Sequence, residues 1–79
     1  MPAMDASNFH VIKSGVIYEL EPEEGGGFTI NVPALPGCIS FGDTFEEAMT
    51  MIAEAMELWL EVAREESMPI PAQFASGAG

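Results

Sequence analysis

The stretch that decides the fold is GDTFEEAMTMIAEAMELWLEVARE, residues 42–65. Apolar side chains recur in it three and four positions apart, which is the spacing of one face of an amphipathic helix. These residues are Phe45, Ala48, Met49, Ile52, Ala53, Met56, Trp59, Leu60 and Ala63. Thr44 and Glu47 fit a capping box, in which the Thr hydroxyl accepts from the third helical amide and the Glu reaches back. The pattern predicts a helix ending at about Glu65, roughly six turns long.

Upstream of this helix, β-branched and aromatic residues predict an antiparallel meander of three strands. The first segment covers residues 9–21, where Gly15 indicates a bulge or a break between two short strands. Three glycines at 25–27 predict a strand-reversing turn, because glycine enters positive-φ conformations without a Cβ penalty. The second strand is predicted at 28–32 and the third at 38–41.

Alternation along the first two strands assigns their buried faces. The side chains expected on these faces are Val16, Tyr18, Leu20, Phe28, Ile30 and Val32. After the helix, prolines 69 and 71 cannot continue it, and Ile70 with Phe74 is expected to form a short extended edge strand. The predicted fold class is therefore α+β, a three-stranded antiparallel sheet packed by one long helix with a short C-terminal edge strand (β-β-β-α-β).

Charge and composition exclude several classes of function. The chain has 13 acidic and 2 basic side chains, a formal net charge of −11, yet 48% of its residues are hydrophobic. The hydrophobic content argues against a disordered acidic tail. Lys13 and Arg64 are too few cations for direct binding to nucleic acid or to an anionic membrane. A charged partner is expected to be basic.

Length and residue types bound the architecture further. We expect residues 1–79 to form a single domain, located in the cytoplasm because Cys38 is alone and no signal sequence is apparent. One Cys and one His cannot build a zinc cluster, and no cofactor is expected. Small cores often need self-association, and Leu58, Trp59 and Val62 cannot all face one sheet, so they are the candidate oligomer interface.

Three motifs can be interpreted either as functional sites or as structural features. Residues 25–27 could cradle a phosphate, but no P-loop Lys or following helix supports this. His10 and Cys38 could form a catalytic pair, but no third group orients them. Asp43 with Glu46 and Glu47 could bind a metal, although capping and the helix dipole already explain acids there. The turn, core and capping interpretations are favoured, and no catalytic or metal site is predicted.

Glu54, Glu57, Glu61 and Glu65 form a row of like charges that local helix stability does not explain. Each like-charged pair three or four residues apart costs about 0.2–0.5 kcal/mol. Glu65 also lies near the negative end of the helix dipole, where an acid is unfavourable. Two explanations stay open, namely solubility and a docking surface for a basic partner.

Five sequence blocks, in order, resemble the antitoxin family named HicB. They are EPEEGGGFTI (21–30), VPALPGC (32–38), GDTFEEA (42–48), EAMELWL (54–60) and PIP (69–71). The chain is similar to the amino-terminal, toxin-binding domain of that family, which also occurs as short stand-alone proteins. It departs from the family pattern in the longer segment before Val16, and it stops at Gly79, where a DNA-binding domain would begin. We therefore expect no DNA-binding domain here.

The resemblance implies a partial ribonuclease-H-like or double-stranded-RNA-binding-like topology and a non-enzymatic role. It implies a basic, mRNA-cleaving HicA-like toxin as partner, neutralised by occlusion of its active site, and a homodimer or homotetramer. The alternative is an orphan homo-oligomeric interaction module without a toxin, and an acid-dependent hydrolase is disfavoured. The acids predicted to contact a partner are Glu21, Glu23, Glu24, Asp43, Glu54, Glu57, Glu61 and Glu65.

Overall fold

The computed structural model of the chain describes residues 8–75; the two ends of the predicted domain, 1–7 and 76–79, lie outside the described residues. Four strands precede one long helix, and a short helix follows it. The elements are β1 (Phe9–Lys13), β2 (Val16–Pro22), β3 (Phe28–Asn31), β4 (Ile39–Gly42), α1 (Phe45–Glu65) and α2 (Ala72–Ala75). The strands form one antiparallel sheet in the order β1-β2-β3-β4, so the α+β class is confirmed.

Within residues 8–75 the sheet has four strands, so the prediction of three is wrong. The segment at 9–21 is a tight hairpin in which Lys13 pairs with Val16 across two turn residues. Ser14 and Gly15 both have positive φ, 54° and 80°, as a type I′ turn requires. Glycine alone predicts a break at this point, whereas a complete reversal also needs Ser14 in a left-handed conformation that serine rarely adopts.

One face of the sheet packs against α1 and carries the core. The alternation predicted for β2 and β3 is confirmed, because Leu20 and Ile30 are fully buried. Ile52 of α1 and Leu35 of the loop between β3 and β4 complete this layer. α1 lies over β4 and, to a smaller extent, over β3. The helix is therefore placed near one edge of the sheet rather than over its middle.

The closest approach between the layers is at Gly42, the last residue of β4. A Cβ built there would overlap the amide nitrogen of Ala48 and lie 2.6 Å from its Cα. Ala48 is itself completely buried. The start of α1 can rest on the strand only because both residues are small at this crossing.

Both ends of α1 are capped, and the predicted boundaries are confirmed. The Thr44 Oγ1 accepts from the Glu47 amide at 3.0 Å, and the Glu47 carboxylate accepts from the Asp43 amide at 2.7 Å. At the other end the Met68 amide donates to the Ala63 carbonyl, and Ser67 has φ 58°, which together form a Schellman motif. Among residues 8–75, no helix combines the length and apolar character needed to cross a membrane.

The prediction of a C-terminal edge strand is wrong, because residues 72–75 form a short helix. The Phe74 amide donates to the Pro71 carbonyl at 2.9 Å, which closes a turn that an extended strand would not have. Phe74 packs against the core from this short helix. The expected ribonuclease-H-like or double-stranded-RNA-binding-like topology stays a prediction.

Candidate functional site

The row of acids on α1 lies on the face of the helix that points away from the sheet. Ala48, Ile52 and Ala63 mark the buried face, whereas the row residues are all exposed. We call these four residues the acidic row: Glu54, Glu57, Glu61 and Glu65. Their spacing holds four carboxylates along about 16 Å of one rigid helix. This surface can attract and orient a cationic group.

The other four predicted contact acids lie at a different place, at the end of the sheet where α1 begins. Pro22 of β2, Phe28 of β3 and Gly42 of β4 are aligned across the sheet by register, which places the turn at 23–27 beside the start of the helix. The acids of this end are Glu21, Glu23, Glu24 and Asp43. Asp43 and Glu54 are separated by about 16 Å along the helix axis. The predicted contact acids therefore form two groups rather than one surface.

The sheet-end group includes one acid that is already engaged. Glu23 is half-buried, and its carboxylate accepts from the Thr29 hydroxyl at 2.6 Å. Beside this group the rings of Phe9, Phe28 and Phe45 stack edge to face, with centroids 6.1 and 6.3 Å apart. Glu21, Glu24 and Asp43 remain exposed, and so they are the members of this group that can meet a partner.

A second feature of α1 is an apolar flank between its buried face and its acidic row. Leu58 and Val62, two of the predicted interface residues, are 62% and 44% exposed there. They line a shallow hollow with Ile39 of β4 and with Met68, both of which are also exposed. Two further exposed side chains extend the surface, Met51 about two turns back along the helix and Phe41 further along β4. We call the whole set the apolar patch: Ile39, Phe41, Met51, Leu58, Val62 and Met68.

Trp59, the third predicted interface residue, makes most of its contacts with other residues of its own chain. Its indole Nε1 donates to the Pro36 carbonyl at 2.9 Å, and its ring packs against the core. One edge of the ring still lines the hollow beside Leu58. The interface of Leu58, Trp59 and Val62 stays a prediction. In the structure Trp59 is half-buried beneath the hollow, and Leu58 and Val62 are exposed at its surface.

Four of the six residues of the apolar patch were not predicted from the sequence. Ile39, Phe41, Met51 and Met68 were not assigned to any interface, although Ile39 is 60% exposed. Alternation along β4 was a usable signal for Ile39, because its neighbour Cys38 was predicted to be buried. Met68 had no such signal, since its position depends on the helix cap at Ser67 that turns the chain back.

His10 and Cys38, which the sequence disfavoured as a catalytic pair, lie apart in the structure. His10 is exposed on β1, whereas Cys38 is buried beside β4 at the opposite edge of the sheet. Burial raises the pKa of the Cys38 thiol above its ordinary value. The pKa of the Tyr18 hydroxyl is also raised, mainly by burial and to a smaller extent by charge repulsion from the nearby Cys38 thiolate. The prediction that Cys38 is a core residue is confirmed, because its side chain is buried with the core residues.

The turn and capping interpretations are also confirmed. All three glycines at 25–27 have positive φ, and the Glu23 amide donates to the Gly27 carbonyl across the turn. Asp43 and Glu47 share the cap of α1, as described above. Across residues 8–75, no three side chains of His, Cys, Asp or Glu are grouped as a metal ion would need.

Comparison with known proteins points to one family. Residues 16–76 match the family described as HicB_like antitoxin of bacterial toxin-antitoxin system. A UPF0150 protein of Synechocystis is 50% identical over 52 residues, which cover 66% of each chain. A UPF0150 protein of Thermoplasma acidophilum is 41% identical over 49 residues, or 62% of this chain and 71% of that protein. These alignments span about two thirds of the relatives' length.

A further relative is named as an antitoxin. The protein Antitoxin HicB 1 of Photorhabdus laumondii is 38% identical over 52 residues, which are 66% of this chain and 34% of that protein. No solved structure matches the chain significantly.

Proposed function

Because the chain belongs to the HicB-like antitoxin family of bacterial toxin–antitoxin systems, we propose that it is an antitoxin that binds and neutralises a toxin protein. The partner in this proposal is a basic, mRNA-cleaving toxin of the HicA type. The antitoxin covers the active site of the toxin and performs no chemistry itself, and it acts in the cytoplasm. The family match supports the antitoxin role, and the surface of α1 supports the nature of the partner.

The acidic row is the observation that supports a basic partner. Four exposed carboxylates are held side by side on one rigid helix, at a cost in helix stability. The cations near them among residues 8–75 are Arg64 in the last turn of α1 and Lys13 of β1, which lines a hollow with Glu54 and Glu57. A cationic surface would relieve this repulsion on binding. Complementary charge also raises the rate of association, because it steers the two proteins together over about a Debye length.

Occlusion is consistent with the shape of this face. An α-helix presents a straight, rigid ridge, and the acidic row occupies about 16 Å of it, which is long enough to lie across a cleft on a small protein. A toxin that cleaves RNA needs cationic groups at its substrate site. The acidic row would compete with the RNA backbone for those same groups.

The experiment is co-expression with the product of the adjacent reading frame, followed by affinity measurement over a range of salt. We expect growth to be rescued and the dissociation constant of the complex to rise about tenfold or more from low to high salt, mainly through slower association. A double variant, Glu57→Gln with Glu61→Gln, should weaken binding at low salt and flatten the salt dependence.

A matched control removes the same charge away from the row, with Glu46→Gln in the first turn of α1 and Glu19→Gln on β2. This control should bind like the unaltered chain. An affinity that does not depend on salt would contradict the electrostatic docking surface. A chain that neither binds nor neutralises the neighbouring gene product would contradict the antitoxin proposal as a whole.

A further inference from the structure

The inner face of the sheet is wider than the single helix that packs on it, since α1 lies over β4 and β3. In the strand register Val11 is opposite Tyr18, and Lys13 is opposite Val16. Tyr18 and Val16 are buried, so the two β1 side chains opposite them are also on the inner face. Val11 is nevertheless only half-buried, and Lys13 is exposed. Within residues 8–75 the inner side of β1 is therefore incompletely covered.

A groove runs between β1 and the flank of α1 that faces it. Lys13 lies on one side of this groove, and Met49, Thr50 and Ala53 lie on the other. Val11 and Met49 also line the hollow that continues the groove towards the start of the helix. We call these five residues the β1 groove: Val11, Lys13, Met49, Thr50 and Ala53. Its helical wall is the opposite flank of α1 from the one that carries the apolar patch.

The rim of the β1 groove is acidic. Glu54 and Glu57 of the acidic row line the same hollow as Met49 and Ala53. Lys13 is the one cation that lines this hollow, so the two carboxylates outnumber it. A basic partner that binds the acidic row can therefore reach apolar side chains in the groove while it stays in contact with the row.

We propose that the β1 groove binds a basic amphipathic helix of the partner, an inference that rests on the proposed function. Two packed helices lie about 8–10 Å apart, which is about two strand spacings of 4.8 Å. A helix beside α1 therefore lies over β2 and β1, where the inner layer is incomplete. Its apolar face contacts Val11, Met49 and Ala53. Lys or Arg side chains on its flank reach the carboxylates of Glu54 and Glu57.

The length of the groove also fits a helix. From Met49 to Glu57 α1 rises about 12 Å, or about two turns, which accepts anchors at positions i, i+3 or i+4, and i+7 of the partner helix. Glu46 lies about 4.5 Å further back along the axis, outside this contact. A strand paired with the free edge of β1 would leave the hollow between β1 and α1 open, so it does not account for the apolar wall formed by Met49 and Ala53.

The test is calorimetric titration of the full 79-residue chain with the product of the adjacent reading frame. The variant Ala53→Trp obstructs the groove from an exposed position, and Met51→Trp is the matched control at an exposed position on the opposite flank of α1. We expect Ala53→Trp to raise the dissociation constant about tenfold or more and Met51→Trp to change it less than about twofold. Thermal unfolding of both variants checks that neither substitution disturbs the fold.

A second variant changes charge without adding bulk. Lys13→Gln should lower the dissociation constant about twofold or more, because it removes a like charge that faces the basic helix. Arg64→Gln is its control, since it removes the same charge from the last turn of α1, about 10 Å beyond Glu57 along the axis. The control should have the smaller effect. An equal or larger effect of Arg64→Gln would place the partner on the acidic row alone and overturn the proposal.

Methionine methyl NMR spectra of the unaltered chain locate the partner directly. On addition of the neighbouring gene product we expect the Met49 methyl signal to shift and the Met51 signal to stay in place. Slower amide exchange at residues 9–13 without a shift of Met49 would identify an added strand and overturn the helix. Binding that Ala53→Trp leaves unchanged would also overturn it. In these cases the antitoxin proposal survives, whereas a neighbouring gene product that does not bind at all overturns both proposals.

Discussion

Gly42 is the residue at which the two layers of the fold come closest. Its importance is steric, since it does not need a positive φ. We expect Gly42→Ala to lower the free energy of unfolding by about 3 kcal/mol or more, because the new methyl group overlaps backbone atoms of Ala48 that cannot move independently. Urea unfolding followed by circular dichroism measures this change.

Gly37→Ala is the matched control for that substitution. Gly37 has φ 85°, but a Cβ there meets no atom within 4 Å. Only the left-handed conformation opposes the methyl group, at a cost of about 1–2 kcal/mol. Equal losses for the two variants would contradict the close packing of β4 against the start of α1.

Cys38 makes the stability of the fold sensitive to alkaline pH. Its thiol has a raised pKa in the folded chain, above the reference value of 9.0. The unfolded chain therefore releases this proton at a lower pH than the folded chain does, and stability falls as the pH rises through and beyond about 9. We expect Cys38→Ala to flatten the decline in unfolding free energy between pH 8 and pH 10.5, measured with urea at fixed ionic strength.

Tyr18 contributes to the same decline at higher pH, because its own pKa is raised above 10.0. Tyr18→Phe serves as the comparison, and it should flatten the upper part of the curve. If Cys38→Ala leaves the dependence of unfolding free energy on pH unchanged, the pKa of the Cys38 thiol is the same in the folded and unfolded states, which contradicts the prediction.

At the scale of the element, α1 ends in a cap that uses an unfavourable residue. Ser67 has φ 58° at the position where a Schellman motif usually has glycine. We expect Ser67→Gly to raise the free energy of unfolding by about 0.5–1 kcal/mol, because relief of the left-handed strain exceeds the added entropy of the unfolded chain. Thermal unfolding at one protein concentration measures the gain as a rise of a few degrees in Tm.

Glu66→Gly is the control at the neighbouring position. Glu66 has φ −91°, which any residue adopts without strain, so glycine there should give no gain. A larger stabilisation from Glu66→Gly than from Ser67→Gly would contradict the capping geometry.

The elements also differ in how far the sequence predicts them. The boundaries of α1 were predictable because Thr44, Glu47 and the apolar spacing are local signals that agree with one another. The hairpin of β1 and β2 was not, because the left-handed conformation of Ser14 is imposed by strand pairing. The short helix that replaces the expected last strand follows the same rule: Phe74 is placed by its contact with the core, and local sequence does not set its backbone.

At the scale of the whole molecule, the acidic residues were predictable but their grouping was not. The row on α1 follows from helical spacing alone. The separation of Glu21, Glu24 and Asp43 from that row depends on strand register, which brings the turn at 23–27 next to the start of the helix. Register likewise decides that β4 is an edge, and so the apolar patch could not be assembled before the strand order was known.

The hydrogen bond from Trp59 to the Pro36 carbonyl fixes the position of the indole ring, and the fluorescence of that ring is an optical probe. Trp59 is the chain's one tryptophan, and its ring edge lines the hollow beside Leu58. Its emission spectrum therefore reports on a single place. Removal of water from that hollow should shift the emission to shorter wavelength, whereas a ligand on the acidic row should leave it unchanged. Fluorescence from the unmodified chain can thus distinguish which of the two faces of α1 has become occupied.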